Sequence, residues 1–227
     1  MRRVILSLAL AGMAGSAAAG SGSVTLTLAS DYLFDGVSQT QGDDRDDFNP
    51  ALQASFDFAA ENGFYAGIWG SNVDFGDGDP ADIEVDLYAG FARTLESGWG
   101  WDFGVLRYTY TGAPSSYDYT EYMAAVTFPF GTTAKLYLAD DDALGGNANR
   151  FKLLHSFALA EGWSLDLEAT RTSYSNGAFE DFTHGQIGVS HSLGAFDAYL
   201  GYSDTSRDDP LADGRLLFTL STSLDVF

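Results

Sequence analysis

The sequence predicts an all-β fold, a closed antiparallel transmembrane β-barrel of about 12 strands with short periplasmic turns and longer extracellular loops. Two observations carry that prediction. Apolar residues recur at every second position over most of the chain, and the polar stretches separating these runs alternate between short and long. A period of two belongs to strands whose two faces meet different surroundings.

The alternation is cleanest where Ile83, Val85, Leu87, Ala89 and Phe91 interleave with Asp82, Glu84, Asp86 and Tyr88. One face is apolar and the other largely acidic. Leu52, Ala54, Phe56 and Phe58 stand apart from Gln53, Ser55 and Asp57 in the same way. So do Tyr122, Ala124, Val126, Phe128 and Phe130 from Glu121, Met123 and Thr127, and Trp163, Leu165, Leu167 and Ala169 from Ser164, Asp166, Glu168 and Thr170. A charge costs little in water and several kcal/mol in hydrocarbon, so the pattern assigns the apolar face to lipid and the charged face to a wet lumen.

Short turns fall near Glu61-Asn62-Gly63, Glu96-Ser97-Gly98, Gly131-Thr132, Glu161-Gly162 and Gly194-Ala195. Longer polar segments run over 35–47, 74–81, 111–118, 140–147, 175–181 and 205–214. The strands between them, roughly 9 to 13 residues each, suffice to cross a bilayer at a tilt. An even strand number returns both termini to the side of the short turns, which in bacterial barrels is the periplasm. Gly63-Phe64, Gly98-Trp99, Gly162-Trp163 and Ala195-Phe196 each hand a turn directly to a ring, and with Trp101 these rings form a girdle at one interface.

At the N-terminus, Arg2 and Arg3 precede an apolar run from Val4 to Ala14, and Ala17, Ala18 and Ala19 follow. This is the pattern of a secretory signal peptide, far short of the roughly 20 apolar residues of a membrane helix. Residues 1–19 are therefore expected to be removed, leaving 20–227 as a single outer-membrane β-barrel domain of a Gram-negative cell. Of 11 basic and 32 acidic residues, Arg2 and Arg3 leave with the leader, so the mature net charge is −23. Such a surface repels nucleic acid. With no Cys, neither disulfides nor thiolate chemistry contribute. The chain ends in Phe227, a partial match to the terminal aromatic signal read by the barrel assembly machinery, because Asp225 stands where another apolar residue is usual.

Further along, Ser30-Asp31-Tyr32, Gly36-Val37-Ser38-Gln39-Thr40, Pro50-Ala51-Leu52-Gln53, the run from Gly63 to Val73, and Glu84-Val85-Asp86-Leu87-Tyr88-Ala89-Gly90 resemble the TorF family of porin-like proteins, also called the Gcw_chp family. The likeness spans residues from about 30 to 90, and Asp35 departs from it, since the family usually has Arg before that glycine. The resemblance implies an outer-membrane barrel and leaves the solute open.

Function is read from the charged face. Asp31, Asp57, Glu84, Asp86, Glu121, Asp166, Glu168 and Asp197 are expected to line the lumen, joined by Lys135, Lys152 and Arg150. An acidic lumen passes cations in preference to anions, which suggests a porin for passive diffusion of small solutes, cationic ones favoured. The competing expectation is a non-conducting structural or ligand-binding barrel, its charges paired with Lys135, Lys152 and Arg171 into a plug, because barrels of this size are only slightly wider than those filled by side chains. A soluble lipocalin-like barrel requires the apolar faces to turn inward.

Loop carboxylates Asp43, Asp44, Asp46 and Asp47, then Asp74, Asp77, Asp79 and Asp82, then Asp140, Asp141 and Asp142 match no calcium-loop spacing, so neither a metal site nor a cofactor is expected. A looser role, divalent bridges to lipopolysaccharide and outer-membrane lipid, fits solvated loops. No catalytic residues are expected either. His184 and His191, seven apart on one strand, face opposite sides, and Gln186, Phe157 and Leu193 stand where an outer-membrane phospholipase needs its serine. A hydrolase at the barrel rim, with His184 beside Asp181, is the enzymatic alternative.

Overall fold

The computed structural model describes residues 20–42, 49–141, 144, 146–175 and 179–227. The proposed leader, residues 1–19, lies outside the described residues, as do Asp43, Asp44, Asp46, Asp47 and Asp142.

Strand β1 (Ser21–Ala29) is followed by two short strands, β2 (Leu33–Phe34) and β3 (Val37–Ser38), and then by β4 (Ala51–Ala59), β5 (Phe64–Asn72), β6 (Ile83–Thr94) and β7 (Gly100–Thr111). The chain continues through β8 (Tyr119–Thr127), β9 (Thr133–Asp141), β10 (Gly146–Ala160), β11 (Trp163–Tyr174), β12 (Phe182–Leu193), β13 (Phe196–Thr205) and β14 (Arg215–Asp225). Every strand except β2 and β3 joins one closed antiparallel barrel of 12 strands, each paired with its sequence neighbours. Closure is made by β1, which pairs with β4 from Ser21↔Ala59 to Ala29↔Ala51 and with β14 from Ser23↔Asp225 to Ala29↔Thr219. Beyond β14 the terminus stays zipped to β1, with the Gly22 amide donating to the Phe227 carbonyl at 3.1 Å and the Val226 amide to that of Gly22 at 2.7 Å.

The face assignment follows parity. Leu87 is 53% exposed while its neighbour Asp86 is 0% exposed, and Leu52, Phe103, Tyr122, Ile187, Leu200 and Leu216 share the outward orientation of Leu87. A lipocalin-like interior packed with the apolar faces is thereby excluded, since those faces point away from the barrel axis.

All short turns gather at one end, together with Gly20 and Phe227. Three of them repeat one geometry, in which the Gly63, Gly98 and Gly131 amides donate to the carbonyls of Ala60, Leu95 and Phe128 at 3.0, 2.9 and 2.8 Å. Each of these glycines has φ between 84° and 94°, the left-handed region closed to most side chains. Rings cluster here as pairs, Phe64 with Phe91 at 5.4 Å, Trp99 with Phe128 at 5.1 Å, and Trp163 stacked on His191 at 4.1 Å.

Inside, tyrosines rest against inward-facing glycines of neighbouring strands. Tyr65 covers Gly90 and Gly104, Tyr88 covers Gly67, and their hydroxyls donate to Asp102 at 2.8 Å and to Asp57, respectively. Glycine at these positions lets a ring lie against the wall, so that large side chains occupy little of the lumen. A Cβ on Gly90 would stand 2.3 Å from the Phe103 carbonyl oxygen and 2.4 Å from the Tyr65 hydroxyl, and a backbone oxygen cannot yield. Gly90→Val is therefore expected to destabilise the barrel by about 1–3 kcal/mol, read as a lower thermal transition in the heat-modifiable mobility of the folded protein.

Candidate functional site

The first long connection does not stay outside the barrel. Residues 31–42 fold into the lumen as a hairpin of β2 and β3, turning at Asp35 and Gly36, which have φ of 49° and 84°. Positive φ at both central residues is the geometry that Asp-Gly favours in two-residue hairpins. Leu33 packs with Tyr199 and Leu217, Phe34 meets Tyr108 edge-on at 6.3 Å, and Gly36 abuts the His184 ring. The hairpin thus touches walls contributed by β7, β12, β13 and β14. This corrects the expectation that the segment from residue 35 is an external loop, and the physical reason is charge, because the tip aspartate finds two cations on the wall.

Those cations are Arg150 and Lys152, adjacent inward positions of β10. Asp35 accepts from Arg150 Nη1 at 3.1 Å and lies 2.9 Å from Lys152 Nζ. Arg150 also bonds Glu121 of β8, and Lys152 reaches Glu168 of β11 at 2.5 Å. The rings of Phe34 and Tyr137 flank the Arg150 guanidinium with centroids 4.3 and 4.4 Å from its central carbon. Tyr108 donates to Glu121 at 2.7 Å and stacks on Tyr119 with centroids 4.3 Å apart. Buried charges of this kind are tolerated only because each finds a partner of opposite sign. Burial opposes the charge on Asp35, yet Lys152 and Arg150 outweigh it and hold the carboxyl below the ordinary aspartate range.

The neck of the hairpin is tied separately. Asp31 accepts from Ser38 at 2.7 Å and from Thr40 at 2.9 Å, and pairs with Arg215 of β14 at 2.8 Å. Around the tip remains a cavity of about 40 Å³, lined among others by Tyr108, Tyr137, Arg150, Lys152 and Gln186. That is room for a few waters and too little for an organic solute.

The residues expected to line the lumen divide into groups. Glu121, Lys152 and Glu168 join the network around Asp35, and Asp31 serves the hairpin neck. Glu84 and Asp86 sit side by side on β6, 1% and 0% exposed, with all four oxygens lacking a hydrogen-bond partner among the described residues. Their cross-strand neighbours are Ser71 and Trp69 on β5 and Tyr110 and Tyr108 on β7. Asp57, Asp166 and Asp197 lie toward the short-turn end, bonded to hydroxyls of Tyr88, Ser190 and Ser192. Lys135 is buried and inward, in register with Lys152.

Arg171 does not belong to the interior network. It pairs with Asp181 at 2.9 Å on the exposed side of β11, as its odd position among the outward Leu167 and Ala169 dictates. Asp102, which is not among the residues expected in the lumen, faces inward between the outward Trp101 and Phe103, and His184 does not stand at the rim. His184 is in fact 5% exposed inside the barrel, its Nε2 3.0 Å from Ser203 Oγ and its Nδ1 3.4 Å from Glu168. Serine, imidazole and carboxylate in that order evoke acyl transfer. The arrangement does not serve it, because Lys152 already claims Glu168, Ser203 is 1% exposed, and the Gly36 backbone occupies the approach to the ring. Asp35, Glu168 and His184 also present ligand atoms within 4.8 Å of one another, but the Lys152 ammonium reaches both carboxylates and supplies the positive charge there. Among the loop acids, Asp74 and Asp79 accept backbone amides of Gly76 at 3.0 Å and Ala81 at 2.9 Å, and so shape their own turns.

Residues 13–223 match the profile of a family described as a bacterial protein of unknown function, Gcw_chp. No curated protein matches the chain. Among solved structures, it is similar to the KdgM porin, with a TM-score of 0.58 at 7% identity over 88% of this chain and 97% of that one. It is also similar to the NanC porin, with a TM-score of 0.59 at 10% identity over 88% and 98%.

A group whose folded-state pKa is depressed adds stability at pH above its ordinary value, and that stability is lost as the pH falls through the folded-state one. Seating of the hairpin through Asp35 is thus expected to be constant from neutrality down to about pH 5 and to weaken below the ordinary value of 3.8. Asp35→Asn should loosen it at neutral pH by about 3 kcal/mol, near a hundredfold gain in amide exchange over residues 32–41. Hydrogen exchange checks both.

Proposed function

From the premise that the chain belongs to the Gcw_chp family and carries the fold of the small KdgM and NanC porins, we propose that it is an outer-membrane porin that passes small solutes by passive diffusion and prefers cations. Residues 1–19 serve as its signal peptide, the short-turn end faces the periplasm, and the barrel assembly machinery inserts it among phospholipid and lipopolysaccharide. Export with an outward apolar belt and a hydrogen-bonded closed sheet leaves the bilayer as the matching solvent.

The observation that carries the cation preference is how the inward charges pair. Arg150 and Lys152 are engaged by Asp35, Glu121 and Glu168, and Arg215 by Asp31, while Asp57, Asp166 and Asp197 accept from hydroxyls and, among the described residues, pair with no cation. The sum over the lumen is negative, and fixed negative charge in a narrow aqueous path attracts cations and repels anions. In this reading the hairpin sets the constriction, and flow requires that its tip move from the wall. No catalytic step is assigned to the barrel.

A second reading, a non-conducting structural or ligand-binding barrel, draws on the filled lumen at the level of Arg150. Planar bilayers separate the two. The porin reading expects discrete conductance steps and a reversal potential on the cation side in a salt gradient, and bilayers that stay at background contradict it. Asp57→Asn with Asp197→Asn should shift the reversal potential toward zero, and an unchanged potential removes those two residues from the selectivity mechanism. On the outward side, Leu87→Arg should destabilise the inserted barrel by about 2–4 kcal/mol, measured by denaturant titration in lipid vesicles.

A further inference from the structure

The tip of the hairpin looks less like a strut than like a bound ligand. Among the described residues, strand β2 pairs only with β3, so the tip contributes no hydrogen bond to the barrel ladder and can leave without opening it. What it offers the wall is chemically specific. One carboxylate spans two cations, its oxygens 3.1 Å from Arg150 Nη1 and 2.9 Å from Lys152 Nζ, and one phenyl ring lies 4.3 Å from the guanidinium carbon.

The wall half of this contact is complete without the tip. Arg150 keeps Glu121, Lys152 keeps Glu168, and the Tyr137 ring stays against the guanidinium, so both cations remain oriented toward the lumen. Arg150 has a donor to spare, because its Nε is buried with no partner among the described residues even while the tip is seated. The cavity of about 40 Å³ borders the same residues and would widen by the volume of the tip once that moved.

We infer that Arg150, Lys152 and Tyr137 form a binding site for small organic carboxylates that carry an aromatic ring, and that Phe34 and Asp35 occupy it as an internal substitute. The carboxylate bridges the two cations and the ring lies on the guanidinium, which rewards both parts of such a ligand. A neutral ring lacks the bridge, and acetate lacks the ring. The net negative lumen still favours free cations, while this site selects by fixed geometry at one place on the wall.

An internal occupant lowers apparent affinity by the fraction of time the site is free. Isothermal titration of the full mature protein in detergent, with benzoate, acetate and benzamide as probes, reads this directly. Benzoate is expected to bind Asp35→Asn at least about tenfold more tightly than the unaltered protein, acetate more weakly than benzoate, and benzamide not at all. In the Asp35→Asn background, Arg150→Gln or Lys152→Gln should abolish benzoate binding. Lys152→Gln leaves the Arg150–Glu121 pair intact and carries the test if Arg150→Gln fails to fold, folding being judged by heat-modifiable mobility. Absent benzoate binding to folded Asp35→Asn, equal binding of benzoate and benzamide, or undiminished binding after Lys152→Gln overturns the site. Calorimetry is independent of conductance, so a silent bilayer would refute the porin reading alone.

Discussion

Closure of the backbone ladder is the constraint from which the rest of this molecule follows. In a medium without water each strand must satisfy its amides and carbonyls against a neighbour, and a sheet with an edge cannot do so. Here β1 holds β4 on one side and β14 on the other, and the terminal residues extend that seam to Phe227. Once the ring is closed, parity distributes every side chain. Odd positions of β6 such as Leu87 go outward, even positions such as Glu84 and Asp86 go inward, and a shift of one residue would invert both faces.

The interior then has to reconcile many charges with little room. Glycines at 67, 90 and 104 let tyrosine rings settle against the wall, and the ring hydroxyls meet Asp57 and Asp102. Arg150 and Lys152 cannot be left bare, and the wall alone gives each of them one acid. Asp35 supplies the third carboxylate, which is why a polar segment abandons solvent for the lumen. The same contact leaves a cavity of about 40 Å³ beside the hairpin tip.

The barrel was legible in the sequence because its physics is periodic. Strand faces, the alternation of turn lengths and the rings after the turn glycines all repeat at fixed spacing, and a repeat can be read without knowing the partners. The hairpin was not legible in the same way. Asp35-Gly36 between Leu33-Phe34 and Val37-Ser38 does announce a two-residue turn, yet nothing local says whether it points outward or inward. That decision is taken by Arg150, 115 residues away in the chain. Parity alone fixes two further positions, since 171 shares the outward register of Ala169 and 102 lies between two outward rings.

A barrel of this kind requires hydrocarbon to wet the odd-numbered face of β6 while the even-numbered face stays inside. Because the chain has no Cys, single spin-labelled cysteines can be placed at each position from Ile83 to Phe91 in protein reconstituted into lipid. Accessibility to oxygen should peak at 83, 85, 87, 89 and 91 and fall at the positions between them, with a water-soluble nickel chelate never exceeding oxygen at the odd sites. Odd positions shielded from both reagents, or open to the chelate, would contradict the account.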